Sequence, residues 1–103
     1  DKLQPRQYVE IMTCLTKIGE PGEALHWFFS AQKHGAEVNQ WMYTCAITAC
    51  ARSRDVTGAC QLLKDMQDNG VPVNTVAYSA AISACEKGGQ WQKAIHLLEE
   101  MQR

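Results

Sequence analysis

The sequence has 103 residues, of which 46% are hydrophobic and 20% are charged, and its formal net charge is -1. This composition is typical of a folded domain or a short array of repeats, and it excludes a disordered chain. The charge balance also excludes the strongly basic kind of domain that binds nucleic acid through charge alone. Because no apolar run exceeds three residues, we expect no membrane-spanning segment.

Six helical segments follow one another along the chain. In each segment, apolar or small residues recur at spacings of three and four, which places them on one face of a helix. Pro21 suits the first turn of a helix, and Gly35 and Gly70 suit the left-handed position after a helix end. The predicted helices are residues 5–17, 21–33, 40–52, 56–68, 75–87 and 91–102.

The helical segments repeat with a period of 35 residues. When residues 38–50 are aligned with residues 73–85, Val, Asn, Tyr, Ile, Cys and two Ala coincide, and the alignment continues without a gap. A weaker copy of the pattern lies one period earlier and begins near Tyr8. Self-similarity at this period is typical of helical-hairpin repeats.

A single hairpin with one apolar stripe cannot bury that stripe, whereas stacked hairpins can. We therefore predict an all-α fold, an α-solenoid of stacked antiparallel helical hairpins that forms one array over residues 1–103. The predicted repeats are residues 5–39, 40–74 and a truncated third at 75–103. Small residues are expected where the helices approach most closely, at Ala46, Ala59, Ala81 and Ala94. Because the chain starts at Asp1 without an initiator Met, we interpret it as a processed product or a piece of a longer protein.

The five cysteines are odd in number and include no Cys-x-x-Cys pair, which argues against a zinc site and a disulfide framework. We interpret them as small buried hydrophobic residues in a reducing compartment. Glu99 and Glu100 are adjacent on a helix, so their carboxylates do not face each other as a catalytic pair would. We expect no enzyme activity, no cofactor and no small-molecule substrate.

Residues 75–101 resemble the pentatricopeptide repeat, with its tyrosine at Tyr78, a turn at Gly88 and a Leu-Leu-Glu-Glu-Met ending at Met101. The resemblance is nearly as good in the second repeat and moderate in the first, and the 35-residue period is that of P-type repeats. It implies that the first helices of the hairpins line a concave surface. Single-stranded RNA would bind there, with one base per repeat.

In this family, the residue after the tyrosine and the last residue of the repeat read the base. Repeat two carries Thr44 and Asn74 at these positions, a pair that the resemblance associates with adenine or, more broadly, purine preference. Repeat three carries Ser79, and its partner position lies beyond residue 103. Repeat one carries Val9 and Asn39, and Val9 has no group to hydrogen-bond a base.

Two further positions of the repeat are implied to contact RNA. The second position, which packs against a base, is occupied by Arg6, Trp41 and Val76. The thirteenth position, which approaches phosphate, is occupied by Lys17, Arg52 and Lys87. Three cations at a strict interval would form a basic row through which a chain of net charge -1 can meet RNA. The alternative is that each cation only stabilises the C-terminal end of its helix.

Two functions are compatible with the resemblance. The first is an organellar single-stranded RNA-binding module, a fragment of a longer array, in a mitochondrion or a plastid. The alternative is a structural scaffold subunit that mediates protein–protein contacts in a large organellar assembly, such as a ribosome or a membrane complex. The low net charge and the aromatic residues Trp41 and Trp91 favour the alternative.

Overall fold

Six helices joined by short turns build the molecule. The computed structural model describes residues 4–35 and 38–102, and within these ranges there is no β-strand. The helices are α1 (Pro5–Lys17), α2 (Pro21–Lys33), α3 (Gln40–Arg52), α4 (Val56–Asp68), α5 (Thr75–Lys87) and α6 (Trp91–Met101). The predicted all-α fold is confirmed, and α6 ends at Met101 rather than at residue 102. Residues 36–37 and 103 of the predicted repeats lie outside the described residues.

The helices form two layers. The first helices of the hairpins, α1, α3 and α5, pack side by side, and each second helix packs on the first helix of its own hairpin. α2 and α4 also pack against the first helix of the next hairpin, while the described parts of α2, α4 and α6 do not pack against one another. The first helices are therefore the more closely packed layer, and the resemblance to the repeat family implies that the array is concave on their side. We call their outer surface the concave face.

Helix α3 lies at the centre of the core, between the first and third hairpins. Tyr43 is its largest buried side chain, and its ring contacts Phe28 edge to face with ring centroids 5.4 Å apart. Asn69 Nδ2 donates a hydrogen bond of 2.8 Å to the Tyr43 hydroxyl. The one polar atom of this buried side chain is therefore satisfied, as burial requires.

Small residues let the helices approach closely. Ala46, Ala59 and Ala81 are completely buried, and Ala94 is nearly so. These are the four positions at which close packing was predicted, and the prediction is confirmed. No helix within residues 4–35 and 38–102 has the length and the apolar character needed to cross a membrane.

The turns follow the period of the sequence. Gly35 and Gly70 have φ angles of +76° and +73°, which confirms the left-handed position predicted for them. Between the two helices of a hairpin, Gly19 and Gly89 have φ angles of +90° and +74°. The equivalent position of the second hairpin is Arg54, whose φ of +60° is a conformation that residues with a side chain adopt at a cost.

The cysteines do not share one environment. Cys50 and Cys85 are buried, Cys45 and Cys60 are half-buried, and Cys14 is exposed. The prediction that all five are buried is therefore wrong for Cys14. Its equivalents in the later repeats, Ala49 and Ala84, are buried and lie on first helices that pack against the hairpin before them, whereas no hairpin precedes Cys14 in the described residues.

Candidate nucleic-acid interface

A groove runs between α1 and α3 on the concave face and has a volume of about 220 Å³. We call it the α1/α3 groove. Its lining combines two cations with four hydroxyl groups, from Lys17, Arg52, Thr13, Thr16, Thr44 and Thr48. Cations bind phosphate oxygens in nucleic-acid interfaces. Because the hydroxyls of Thr16, Thr44 and Thr48 already donate to backbone carbonyls, Lys17 and Arg52 are the groups that give this groove the chemistry to hold a phosphate between two repeats.

The two cations come together because the repeats are in register. Lys17 and Arg52 each lie in the last turn of a first helix, and α1 and α3 end side by side at the same edge of the array. Lys87 occupies the last turn of α5 and continues the row beyond the α1/α3 groove. All three side chains are exposed. Each cation is also placed favourably for the dipole of its helix. Position alone therefore does not decide between phosphate contact and stabilisation of the helix end.

Thr44 and Asn74 meet at the boundary between the second and third hairpins. Asn74 Oδ1 accepts a hydrogen bond of 2.7 Å from the Ala77 backbone N–H and so caps the N-terminus of α5. Asn74 Nδ2 lies 3.5 Å from Thr44 Oγ1 and donates to it. Thr44 Oγ1 in turn donates to the Gln40 carbonyl at 2.8 Å.

These contacts fix what the pair can offer to a ligand. Asn74 directs its oxygen to the helix cap and one amide N–H to Thr44, which leaves its second N–H as the donor for a new partner. The hydroxyl of Thr44 uses its proton on Gln40, so it can only accept. Thr44 is 8% exposed and Asn74 is half-buried. The pair therefore presents one donor and one acceptor, shielded in part from water.

The reading positions of the other repeats differ from this pair. Asn39 caps α3, with its Oδ1 accepting from the Met42 N–H at 3.0 Å, just as Asn74 caps α5. Its partner Val9 is half-buried and apolar, so repeat one lacks the hydroxyl acceptor. Ser79 is exposed on α5. Only repeat two brings together a complete polar pair among the described residues.

The predicted stacking positions lie on the surface near the starts of the first helices. Trp41 is 65% exposed and Val76 is 58% exposed, so both offer apolar surface to a ligand. Arg6 is exposed and forms an ion pair with Glu10 across 3.6 Å. Because a pair between exposed side chains contributes little to stability, Arg6 can exchange Glu10 for another partner at low cost.

Apart from Thr44, the hydroxyl groups of the α1/α3 groove were not predicted from the sequence. Thr13 and Thr48 are one period apart, and Ser83 follows at the next period. Thr13 Oγ1 lies 3.6 Å from Cys45 Sγ, and Thr48 Oγ1 donates to the Thr44 carbonyl at 2.8 Å. The periodic recurrence of a hydroxyl was the available signal, and it becomes meaningful only once α1, α3 and α5 are known to lie side by side.

Sequence profiles of one repeat family match most of the chain. The profile of the PPR repeat family matches residues 38–87, and a second profile, of the PPR repeat, matches residues 76–103. The chain belongs to the pentatricopeptide repeat family. No curated protein sequence matches the chain.

Solved structures of a pentatricopeptide repeat protein share this fold. One is the crystal structure of the protein PPR10 in complex with an 18-nt psaJ RNA element, with 23% identity and a TM-score of 0.92. Another, with the same identity and TM-score, holds a variant of PPR10 with three cysteines replaced by serine, again with the RNA element. In each case the match covers 99% of this chain but 15% of the solved chain. The likeness therefore establishes the arrangement of the helices.

Proposed function

We propose that this chain is a single-stranded RNA-binding module of a longer pentatricopeptide array, and that it acts on transcripts of a mitochondrion or a plastid. Repeat two is proposed to prefer adenine. The observation that carries the proposal is the Thr44–Asn74 pair, one donor and one acceptor next to a cationic groove. The organellar location rests on family membership.

The hydrogen-bonding pattern of the pair fits the edge of adenine. The adenine amino group donates and its neighbouring ring nitrogen accepts, so Thr44 Oγ1 can accept from the first and Asn74 Nδ2 can donate to the second. Uracil presents its acceptor and donor in the opposite order. Cytosine presents a donor and an acceptor in the same order as adenine but on a smaller ring, so the size of the base must separate these two bases.

Stacking would supply the second part of base recognition. Trp41 lies in the first turn of the helix that carries Thr44 and is largely exposed, and Val76 occupies the equivalent position in the next repeat. A base whose edge meets the polar pair can pack its face against such side chains. Base–aromatic stacking contributes about 1–3 kcal/mol per base.

The cationic row gives the module a local positive edge despite its net charge of -1. Lys17 and Arg52 border the groove next to the reading pair, and Lys87 lies one repeat further. The solved PPR10 structures contain an RNA element, which supports RNA over other ligands for a surface of this chemistry.

The affinity of three repeats for RNA is expected to be low. Repeat two and half of repeat three can be read, and two base contacts contribute roughly 2–6 kcal/mol before ordering costs. Millimolar affinity corresponds to about 4 kcal/mol. We therefore expect binding of a short RNA near the millimolar range, which an NMR titration with the four homopolymeric tetranucleotides measures directly.

Two sets of variants test the proposal in that titration. Thr44→Asn should move the preference at one nucleotide from adenine towards pyrimidine. The triple change of Lys17, Arg52 and Lys87 to Ala should weaken binding of all sequences and flatten its dependence on salt. The matched control changes three cations on the second helices to Ala, namely Lys33, Lys64 and Lys93. That control removes the same charge from the other layer and should leave the salt slope nearly unchanged.

Equal loss of binding in both triple variants would show that only total charge matters, and it would contradict the proposed phosphate row. An unaltered base preference in Thr44→Asn would remove the pair from base reading. Absence of tetranucleotide-induced shifts at the concave face at several millimolar RNA would contradict RNA binding by these repeats.

The second candidate function is the protein–protein scaffold. It is favoured by the low net charge of the chain and by the exposed aromatic residue Trp91 on α6. Affinity purification of the tagged chain from organelles separates the candidates. In the scaffold case, Trp91→Ala with Leu98→Ala releases protein partners, whereas Trp41→Ala does not. In the RNA-binding case, Trp41→Ala releases RNA and the α6 variant retains it.

A further inference from the structure

A groove of about 550 Å³ lies in the layer of the second helices, between α4 and α6. We call it the α4/α6 groove. It forms because both helices pack on α5 while their described residues do not pack on each other. Leu63 and Leu97 line the groove and are only 3% and 7% exposed, so they lie at its base. The groove therefore has an apolar floor between two helical walls.

Two cations lie on opposite walls of this groove. Lys64 belongs to α4 and Lys93 to α6, and both are exposed. Neither lysine forms an ion pair within the described part of the chain. The carboxylate that lines the groove, that of Glu100, already contacts His96 Nε2 at 3.3 Å. Two lysines against one carboxylate leave the lining positive, which complements a ligand that carries carboxylates.

The period of the sequence shows that this charge is not a general property of the repeat. One period before Lys64 the chain has Phe29, and one period before Lys93 it has Gly58. The preceding pair of second helices therefore has no cation at either position. Because the same hairpins stack there without the lysines, the fold does not require these two cations.

We propose that the α4/α6 groove binds an extended acidic segment of a partner protein, with two carboxylates three residues apart and apolar residues between them. The position on α4 that is equivalent to Lys93 is Gly58, six residues before Lys64. At the helical rise per residue, the two cations are therefore staggered by about 9 Å along the groove. In an extended chain, residues i and i+3 lie about 10 Å apart and point to opposite sides. Such a pair of carboxylates can meet both walls at once.

The composition of the groove favours a protein segment over RNA. Among the described residues that line it, none is aromatic, whereas single-stranded RNA is bound in large part by stacking of its bases on aromatic side chains. Glu100 also adds a negative charge to the lining, which disfavours a phosphate backbone. The floor of Leu63 and Leu97 suits aliphatic side chains instead. The inference concerns the layer behind the concave face and does not depend on RNA binding.

The experiment titrates the isotope-labelled 103-residue protein with the peptide acetyl-GELLEG-amide at low salt and follows backbone amide shifts by NMR. We expect saturable shifts in α4 and α6 and none in α2. The isomer acetyl-GLEELG-amide has the same composition and charge but adjacent carboxylates. Because it cannot reach both lysines at once, its Kd should be about threefold higher or more.

Two matched double variants locate the binding site. Lys64→Gln with Lys93→Gln should raise the Kd of acetyl-GELLEG-amide about threefold or more, as expected for the loss of two exposed ion pairs. Lys33→Gln with Arg54→Gln removes the same charge from exposed positions outside the groove. This control should leave the Kd within about twofold of that of the natural sequence.

Four results would overturn the inference. Equal Kd values for the two peptides would show that only net charge matters, and equal weakening by the two double variants would remove the binding site from the groove. Absence of shifts at several millimolar peptide would exclude an acidic segment as the ligand. Tetraadenylate that shifts the same α4 and α6 amides at a lower concentration than the peptide would assign the groove to RNA.

Discussion

The central helix α3 and the terminal helix α6 show how one sequence pattern leads to two environments. Both carry an apolar stripe at helical spacing. In α3 the stripe and its flanks are buried: Met42, Tyr43, Thr44, Ala46, Ile47, Ala49, Cys50 and Ala51. In α6 only Ala94 and Leu97 are buried, while Trp91, Ile95 and Leu98 are exposed.

The neighbours of each helix explain the difference. α3 packs against α1, α2, α4 and α5, whereas α6 packs against α5. The same difference separates equivalent residues of two second helices. Leu63 of α4 and Leu98 of α6 are one period apart, and they are 3% and 43% exposed. The periodic pattern therefore marks the positions that hairpins cover when they stack, and burial depends on how many hairpins are present around each position.

The largest effect is expected from truncating the leucine at these two equivalent positions. Leu63→Ala removes a buried side chain and leaves a cavity, so it should lower the free energy of unfolding by about 2–5 kcal/mol. Leu98→Ala removes a side chain that water already reaches, and its cost should be below about 1 kcal/mol. Urea unfolding followed by circular dichroism measures both. Equal losses of unfolding free energy would show that Leu98 is covered in solution, and they would contradict the difference in environment between the two positions.

A smaller effect is expected from enlarging the alanines. Ala59 is completely buried between hairpins, so Ala59→Leu should overpack the core and cost about 1–3 kcal/mol. Ala94→Leu should also destabilise the protein, but by less, because the terminal α6 can shift outwards. Thermal melts of the two variants measure the difference. Two melts that match that of the unmodified protein would show that these positions are not interior.

The fold was largely predictable because each local signal agrees with the period. Helix positions, the turns at Gly35 and Gly70 and the close-packed alanines all follow from residue type and spacing. The exposure of Cys14 and Leu98 was not predictable from the stripe, since it depends on neighbours rather than on the residue itself.

The candidate interface was predictable only in part. Residue identity and the resemblance selected Thr44 and Asn74, and the structure brings them to 3.5 Å. Their roles as acceptor and donor depend on the cap to Ala77 and the bond to Gln40, which no spacing rule supplies. The α1/α3 groove likewise requires knowledge of which helix faces lie side by side.

The helix caps of the second and third hairpins provide a third comparison. Asp55 accepts from the Gly58 N–H at 2.9 Å and caps α4, while the equivalent Gln90 makes no side-chain cap at α6. Asp55→Ala should therefore cost about 0.5–2 kcal/mol. Gln90→Ala should have little effect on the free energy of unfolding. Denaturant curves of both variants test this, and a loss at Gln90 as large as that at Asp55 would show an unrecognised cap on α6.

The smallest expected effect concerns the turn inside each hairpin. Arg54 has a φ of +60° where the third hairpin has Gly89 at +74°. A left-handed conformation costs a residue with a side chain about 1–2 kcal/mol. A glycine at position 54 would relieve this strain, but its greater conformational freedom in the unfolded chain offsets part of the gain in stability. Arg54→Gly should therefore stabilise the protein by about 0.5–1 kcal/mol, because Arg54 is exposed and loses no packing. Gly89→Ala is the matched reverse change and should destabilise it by about 1 kcal/mol. Urea midpoints that move in the same direction for both variants would show that the backbone of this turn differs between the two hairpins.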